Sequence, residues 1–172
     1  MLEFYKGKRI LITGHTGFKG SWLCRILIGA GAEITGYSLE PPTDPNLFEV
    51  ADVKKHIHHV IGDIRDREHL MEAFEVSKPE IGFHLAAQPI VLDSYKNPVN
   101  ICECVRLNSC VKSFLNVTTD KVYKNNEWEW GYRENEPLDG YDPYSNSKSC
   151  SELVTHSYIN SFYKDMHVAV ST

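Results

Sequence analysis

The sequence predicts a doubly wound α/β fold on three observations. Six short β-rich runs alternate with helical segments along the chain, and such alternation builds βαβ units with right-handed crossovers. The polar clusters Gly14–Gly20, Asp63, Gln88 and Thr119–Lys121 each follow the end of such a run, which is where open parallel sheets hold their ligands. A length of 172 residues suffices for one well-buried domain. The expected architecture is therefore a Rossmann-like doubly wound parallel sheet with helices on both faces.

Lys8–Thr13 is β-rich and ends at glycine, as a buried first strand would. Trp22, Leu23, Ile26 and Leu27 recur at helical spacing until Gly29 and Gly31 close the helix. Glu33–Leu39 is the second strand. Pro41-Pro42-Thr43-Asp44-Pro45 is a loop, because proline has no N–H to give a central ladder. His58–Ile61 is the third strand, after which Asp66 caps a helix that buries Leu70, Ala73 and Phe74. Ile81–Leu85, the fourth strand, runs into Ala86-Ala87-Gln88-Pro89. A helix carrying Val105 and Val111 follows, then a fifth strand over Ser113–Val117. Lys124–Pro143 is too long for a simple link. Tyr144 to about Tyr163 forms the last helix and His167–Ser171 begins the sixth strand.

With 18 basic against 23 acidic residues and a net charge of −5, the chain has no basic surplus for a nucleic acid partner. Its apolar runs, such as Ile10-Leu11-Ile12, are far shorter than the roughly 20 residues a membrane helix needs. Glu3 and Lys6 interrupt the N-terminus before a signal-peptide core can form. Five cysteines without a secretory signal point to reduced thiols and a cytoplasmic location. Cys102, Cys104 and Cys110 lack a second spaced pair, and His56 and His58 alternate along the third strand. Packed or surface roles suit both groups better than a metal, and no metal site is expected.

Two motifs carry the chemistry. Gly14, Gly17 and Gly20 follow a strand and open a helix. Glycine lets the backbone approach a pyrophosphate, and the helix start offers free N–H groups. Lys19 and His15 stand where they can assist a phosphate or simply be solvated. At the end of the second strand, Tyr37-Ser38-Leu39 is followed by Glu40, and no arginine cluster awaits a 2′-phosphate; NAD is thereby favoured over NADP. Asp63 can bond an adenine amino group or close a turn. Near the other end, Tyr144 and Lys148 are spaced i, i+4 and share a helical face. A neighbouring ammonium favours the phenolate, as proton abstraction from an alcohol requires. Thr119, at the end of a strand, can offer its hydroxyl to the same substrate oxygen. Trp128 and Trp130 either stack on a ligand or anchor a long loop.

The segments TGHTGFKG, GDIRD, HLAAQP, TTDKVY and PYSNSK, in this order, resemble the extended short-chain dehydrogenases/reductases over nearly the whole chain. GYSLEPPTDPNLFE and NNEWEWGYRENEPLDGYDPYSNSK resemble the CDP-glucose 4,6-dehydratase branch of that family. The resemblance implies NAD as cofactor, bordered by Gly14, His15, Thr16, Gly17, Phe18, Lys19, Gly20, Asp63, Ile64, Ala86, Ala87, Gln88, Tyr144 and Lys148. It implies a small-molecule nucleotide-sugar as substrate and a homo-oligomer. It further implies catalysis by Thr119, Asp120, Lys121, Tyr144 and Lys148: Tyr144 takes the 4-hydroxyl proton, Asp120 protonates the leaving 6-hydroxyl, and Lys121 stands where dTDP-glucose relatives hold the base for C5.

Two departures from the family pattern accompany this resemblance. Family members continue past the sixth strand into a substrate-binding region, so the chain from 1 to 172 is expected to be the NAD-binding domain alone, a sheet incomplete at its C-terminus. Around 99–101 roughly ten residues, or about three helical turns, are expected to be missing, with an Asn-x-x-Gly-Thr segment. The expectation is a fragment impaired in turnover. The alternatives are another extended short-chain sugar-nucleotide dehydratase or epimerase, and a non-catalytic NAD-binding module.

Overall fold

The computed structural model describes residues 2–86 and 97–172. Six strands form one parallel sheet in the order β3-β2-β1-β4-β5-β6. They span Arg9–Thr13 (β1), Glu33–Ser38 (β2), His58–Ile61 (β3), Ile81–His84 (β4), Ser113–Asn116 (β5) and Ala169–Ser171 (β6). The order reverses between β1 and β4, so the carboxyl ends of these two strands flank a crevice. Register brings Thr13 opposite both Tyr37 and His84, and His84 opposite Asn116.

One face of the sheet is covered by α1 (Phe18–Gly29) and the short turn α2 (Leu47–Val50). Ile10, Ile12, Cys24, Leu27, Ile34 and Phe48 pack there. Trp22 and Ile26, which share the apolar spacing of α1, are half exposed. On the β5–β6 side of this face a groove of about 310 Å³ opens between Phe4, Phe83, Leu115 and Ala169. The opposite face is covered by α3 (Arg67–Ser77), α4 (Asn97–Leu107) and α5 (Pro143–Tyr158). Leu70, Phe74, Ile101, Val105, Phe114 and Tyr163 form its core.

Local chemistry explains the boundaries. Asp66 caps α3 by accepting from the His69 N–H at 3.1 Å, as expected of an N-cap carboxylate. Lys78 ends the helix in the left-handed region, at φ 44°. The cysteines are free thiols; burial pushes Cys102 up to about 11 and Cys104 up to about 12, so both are neutral packing groups.

Several expected boundaries shift. Val111 is buried but lies beyond Leu107, where α4 ends, on the loop into β5. His56 closes a 3-10 turn over Val53–His56 ahead of β3, so it does not alternate with His58 on the strand. α5 stops at Tyr158, and a π-helical turn over Ile159–Tyr163 continues it. There Tyr158 Oη donates to Glu103 and Tyr163 Oη to the Cys102 carbonyl, each at 2.8 Å. The long connection 124–142 is folded back by a bridge between Tyr123 and Leu138 and a Lys124 N–H to Pro137 carbonyl bond of 2.8 Å.

α5 approaches β5 closely because its inner face is small and polar: Ser145, Ser149, Ser151 and Thr155 are buried. The Asn116 amide donates to Ser151 Oγ at 2.8 Å and to Thr155 Oγ1 at 2.9 Å. Ser149 Oγ donates to the Val122 carbonyl at 2.6 Å. The incoming loop touches the same helix at Gly140, where an added Cβ would lie within 2.6 Å of the Asn146 nitrogen. Gly140→Ala should therefore cost about 2–3 kcal/mol, read as a lower urea midpoint with an unchanged slope.

Candidate dinucleotide site and catalytic rim

The glycine turn is shaped by backbone contact. Gly14 has φ 76°, and a Cβ there would lie 2.7 Å from the Ala86 nitrogen. A Cβ on Gly20 would press on the Gly14 carbonyl and lie 2.6 Å from His15 Cα. Gly17 is the N-cap of α1 and, having no side chain, leaves the first turn without a side-chain cap. The unsatisfied N–H groups and the positive end of the dipole therefore face outward, a seat for an anion.

Beside the turn runs a cleft of about 440 Å³, whose wall includes Gly14, Thr16, Gly17, Asp63, Ile64 and Ala86. Ser38, Leu39 and Glu40 complete it on the β2 side. Asp63 closes its own turn: Oδ1 accepts from the Arg65 N–H and Oδ2 from Arg65 Nε, each at 2.9 Å. The Arg65 hydrogen bonds hold its carboxyl below the usual carboxylate range. Asp63 is thus a turn-closing carboxylate that also borders the cleft. Phe18 and Lys19, on the first turn of α1, are exposed. Ala87 and Gln88 lie outside the described residues.

His15 is a correction. Its side chain neither reaches out to a phosphate nor meets solvent. It is fully buried, and burial first, then His59, lowers its pKa to about 3. The backbone of His15 belongs to the turn; its imidazole belongs to the core.

The second motif stands on α5. Asp142 caps the helix, accepting from the N–H of Tyr144 at 2.9 Å and of Ser145 at 3.1 Å. Ser145 Oγ adds a third bond of 2.5 Å and with the others holds the Asp142 carboxyl low. Tyr144 is 45% exposed, so its phenol is accessible, and Lys148 follows one turn later, largely covered. Burial and then the charge of Lys19, on the first turn of α1, lower the Lys148 pKa. His84 lies below. Its Nδ1 meets Thr13 Oγ1 at 2.6 Å, and burial, then Lys148, lowers its pKa to about 3.

Thr119 caps a 3-10 turn over Asp120–Val122, and its Oγ1 donates to Asp120 at 3.1 Å. Asp120 and Lys121 are exposed and line a cavity of about 600 Å³ with Tyr132, Tyr141 and Ser145. Tyr132 stacks on Tyr123 at 5.9 Å and 12°, with Trp128 tilted against it at 5.5 Å. Tyr132 Oη also donates to Asn125 Oδ1 at 2.9 Å. Trp128 thereby anchors the loop, while Trp130 is 71% exposed.

The sequence reading passed over His84, Asn116 and the Ser149–Ser151–Thr155 face, which support the rim from below. Serine and threonine pairs at i, i+4 on an otherwise amphipathic helix were the available signal.

A profile of the family described as GDP-mannose 4,6 dehydratase matches residues 11–171. The chain belongs to that family. Within this dehydratase family, it is 50% identical to CDP-glucose 4,6-dehydratase of Salmonella typhimurium, over 94% of this chain and 48% of that protein. It is 31% identical to a probable dTDP-glucose 4,6-dehydratase of Sinorhizobium fredii, over 84% of this chain and 47% of that protein. Among solved structures, dTDP-glucose 4,6-dehydratase from Bacillus anthracis in complex with NAD superposes with a TM-score of 0.77 at 25% identity, covering 94% of this chain and 52% of that one. The chain spans about half the length of the curated relatives it matches.

The two buried imidazoles set the acid response. Both His15 and His84 have folded pKa values near 3, whereas the unfolded chain takes up these protons near 6.5. Stability is therefore full above about pH 6.5 and falls as pH drops, by about 1.4 kcal/mol per pH unit for each histidine. Urea unfolding between pH 7 and pH 5 should show this slope, to which His59, also lowered by burial, adds, and His84→Gln should reduce it.

Proposed function

We propose that the chain is the dinucleotide-binding half of an NAD-dependent CDP-glucose 4,6-dehydratase. The observation that carries the reading is the 50% identity to a CDP-glucose 4,6-dehydratase in a chain that carries Thr119, Asp120, Lys121, Tyr144 and Lys148, the turn over Asp120–Val122 packing against the helix that bears Tyr144 and Lys148. The bare glycine turn, the uncapped start of α1 and the adjoining cleft fit a pyrophosphate and the adenosine half of NAD. In this reading the domain runs from 1 to 172, and the region that seats the nucleotide of the substrate lies outside it.

When bound, NAD⁺ accepts the hydride from C4 of the sugar and returns it at C6, so no external oxidant is consumed. Tyr144 takes the 4-hydroxyl proton, with Lys148 beside it to favour the phenolate. Thr119 bonds the same oxygen. The resulting 4-ketone acidifies the C5–H; Lys121 takes that proton as Asp120 gives one to the departing 6-hydroxyl, which leaves as water. C5 regains a proton as C6 receives the hydride, and the product is CDP-4-keto-6-deoxyglucose. Lys121 is exposed where it lines its cavity.

The chain should bind NAD⁺, and Gly20→Val should abolish that binding, as read by calorimetry. Supplied with CDP-glucose and NAD⁺, it should give little of the alkali-induced absorbance of a 4-keto-6-deoxy sugar; full turnover would refute the assignment of 1–172 as a half. In a protein completed by the relatives' C-terminal half, Tyr144→Phe should lower turnover about 10²–10⁴-fold. There, Lys121→Met should stop exchange of the C5 proton with solvent, and persisting exchange would remove Lys121 from the base role.

A further inference from the structure

Beneath the glycine turn lies a polar cluster that the proposed chemistry does not use. The His15 imidazole rests in space that β2 leaves open by carrying glycine: a Cβ on Gly36 would lie 2.5 Å from two of its ring carbons. Phe48 meets the ring edge-on at 5.2 Å. Both ring nitrogens are engaged. Nδ1 is 3.1 Å from Ser38 Oγ, and Nε2 is 2.7 Å from His59 Nδ1 on β3. The chain of bonds continues into the cleft wall. Ser38 Oγ is 2.8 Å from Thr16 Oγ1, and the Leu39 carbonyl accepts from either hydroxyl, at 2.9 Å from Thr16 and 3.0 Å from Ser38.

An aliphatic side chain would fill this core position without requiring partners, whereas a buried imidazole must be matched at both nitrogens. What the histidine adds is direction. It adds a buried side-chain tie between the exit of β2 and the turn that opens α1, which the Gly14 N–H to Tyr37 carbonyl bond of 3.0 Å and the bonds of Thr16 to Ser38 and Leu39 also join. In doubly wound folds the residue leaving β2 bonds the adenosine ribose. Here the Ser38 hydroxyl is already engaged with His15, Thr16 and Leu39, so its contribution to a ligand is the shape of the wall.

We propose that His15 is a positioning residue of the dinucleotide seat, acting through Ser38 to hold the exit of β2 against the glycine turn so that an adenosine diphosphate group meets a preformed wall. The inference rests on the cofactor reading above. A preformed wall spares the ligand the cost of ordering it, and the gain appears as affinity at the adenosine end.

The test is calorimetric titration of NAD⁺ and of ADP into the wild-type chain, His15→Leu, Ser38→Ala and the double variant, with circular dichroism to check folding. Each single variant should weaken both ligands by about tenfold, and the double variant no further than the weaker single, because the two residues act as one unit. Two results would overturn the inference: a His15→Leu chain with a lower thermal midpoint but an unchanged ADP affinity, or losses that add in the double variant. Should His15→Leu fail to fold, His59→Ala, at the solvent end of the same chain of bonds, is measured against Ser38→Ala with the same expectation. A wild-type chain that binds neither NAD⁺ nor ADP would sink the cofactor reading and this inference with it; ADP binding indifferent to His15 and His59 would sink the inference alone.

Discussion

At the centre of the carboxyl edge of the sheet, two stretches of backbone touch with nothing between them. The turn after β1 lies against the exit of β4, and Gly14 has neither room for a Cβ nor a backbone angle that welcomes one. Gly20 then rests on Gly14 in the same way. The first turn of α1 is consequently pulled down onto the sheet edge, and its free N–H groups are aimed at the crevice where the strand order reverses. The cleft and the separation of its two walls depend on that contact.

Around it the carboxyl edge is a buried polar layer set on an apolar sheet. Thr13 pairs with His84, Ser38 with His15, and Asn116 with Ser151 and Thr155. Each pair joins the end of a strand to another element, so the polar groups are satisfied by one another rather than by water. The same dry surroundings make a charge unwelcome. That is why both histidines stay neutral and why Lys148, covered and near Lys19, holds its proton less tightly than a free lysine.

Much of the fold was legible in the sequence because parallel strands are short, apolar and punctuated. All six strands and the α3 cap at Asp66 fall within a residue or two of their expected places. The misplacements share a cause: position along a periodic pattern does not report which neighbour a side chain meets. Val111 has the apolar character of α4 but packs from a loop. His15 stands in the glycine turn yet points inward, because Gly36, twenty-one residues later, leaves it a berth that no local pattern reveals. The rim residues were recognisable as motifs. Their supports, His84 and the serine face of α5, act across strands and were not.

The π-helical turn after α5 carries one further consequence. In a regular α-helix, residues five apart point about 140° away from each other. Tyr158 and Tyr163 are five apart, yet both hydroxyls reach α4, at Glu103 and at the Cys102 carbonyl. The widened turn absorbs the difference. It acts as a vernier between two helices: one residue more than a regular helix needs, placed where it brings the second tyrosine back into line. Straightening this turn with every residue kept would swing the last tyrosine away from α4, whereas deleting one residue between 159 and 163 would leave the two tyrosines four apart and about 40° from each other in a regular helix, so the seam between α4 and the end of α5 is set by counting as much as by composition.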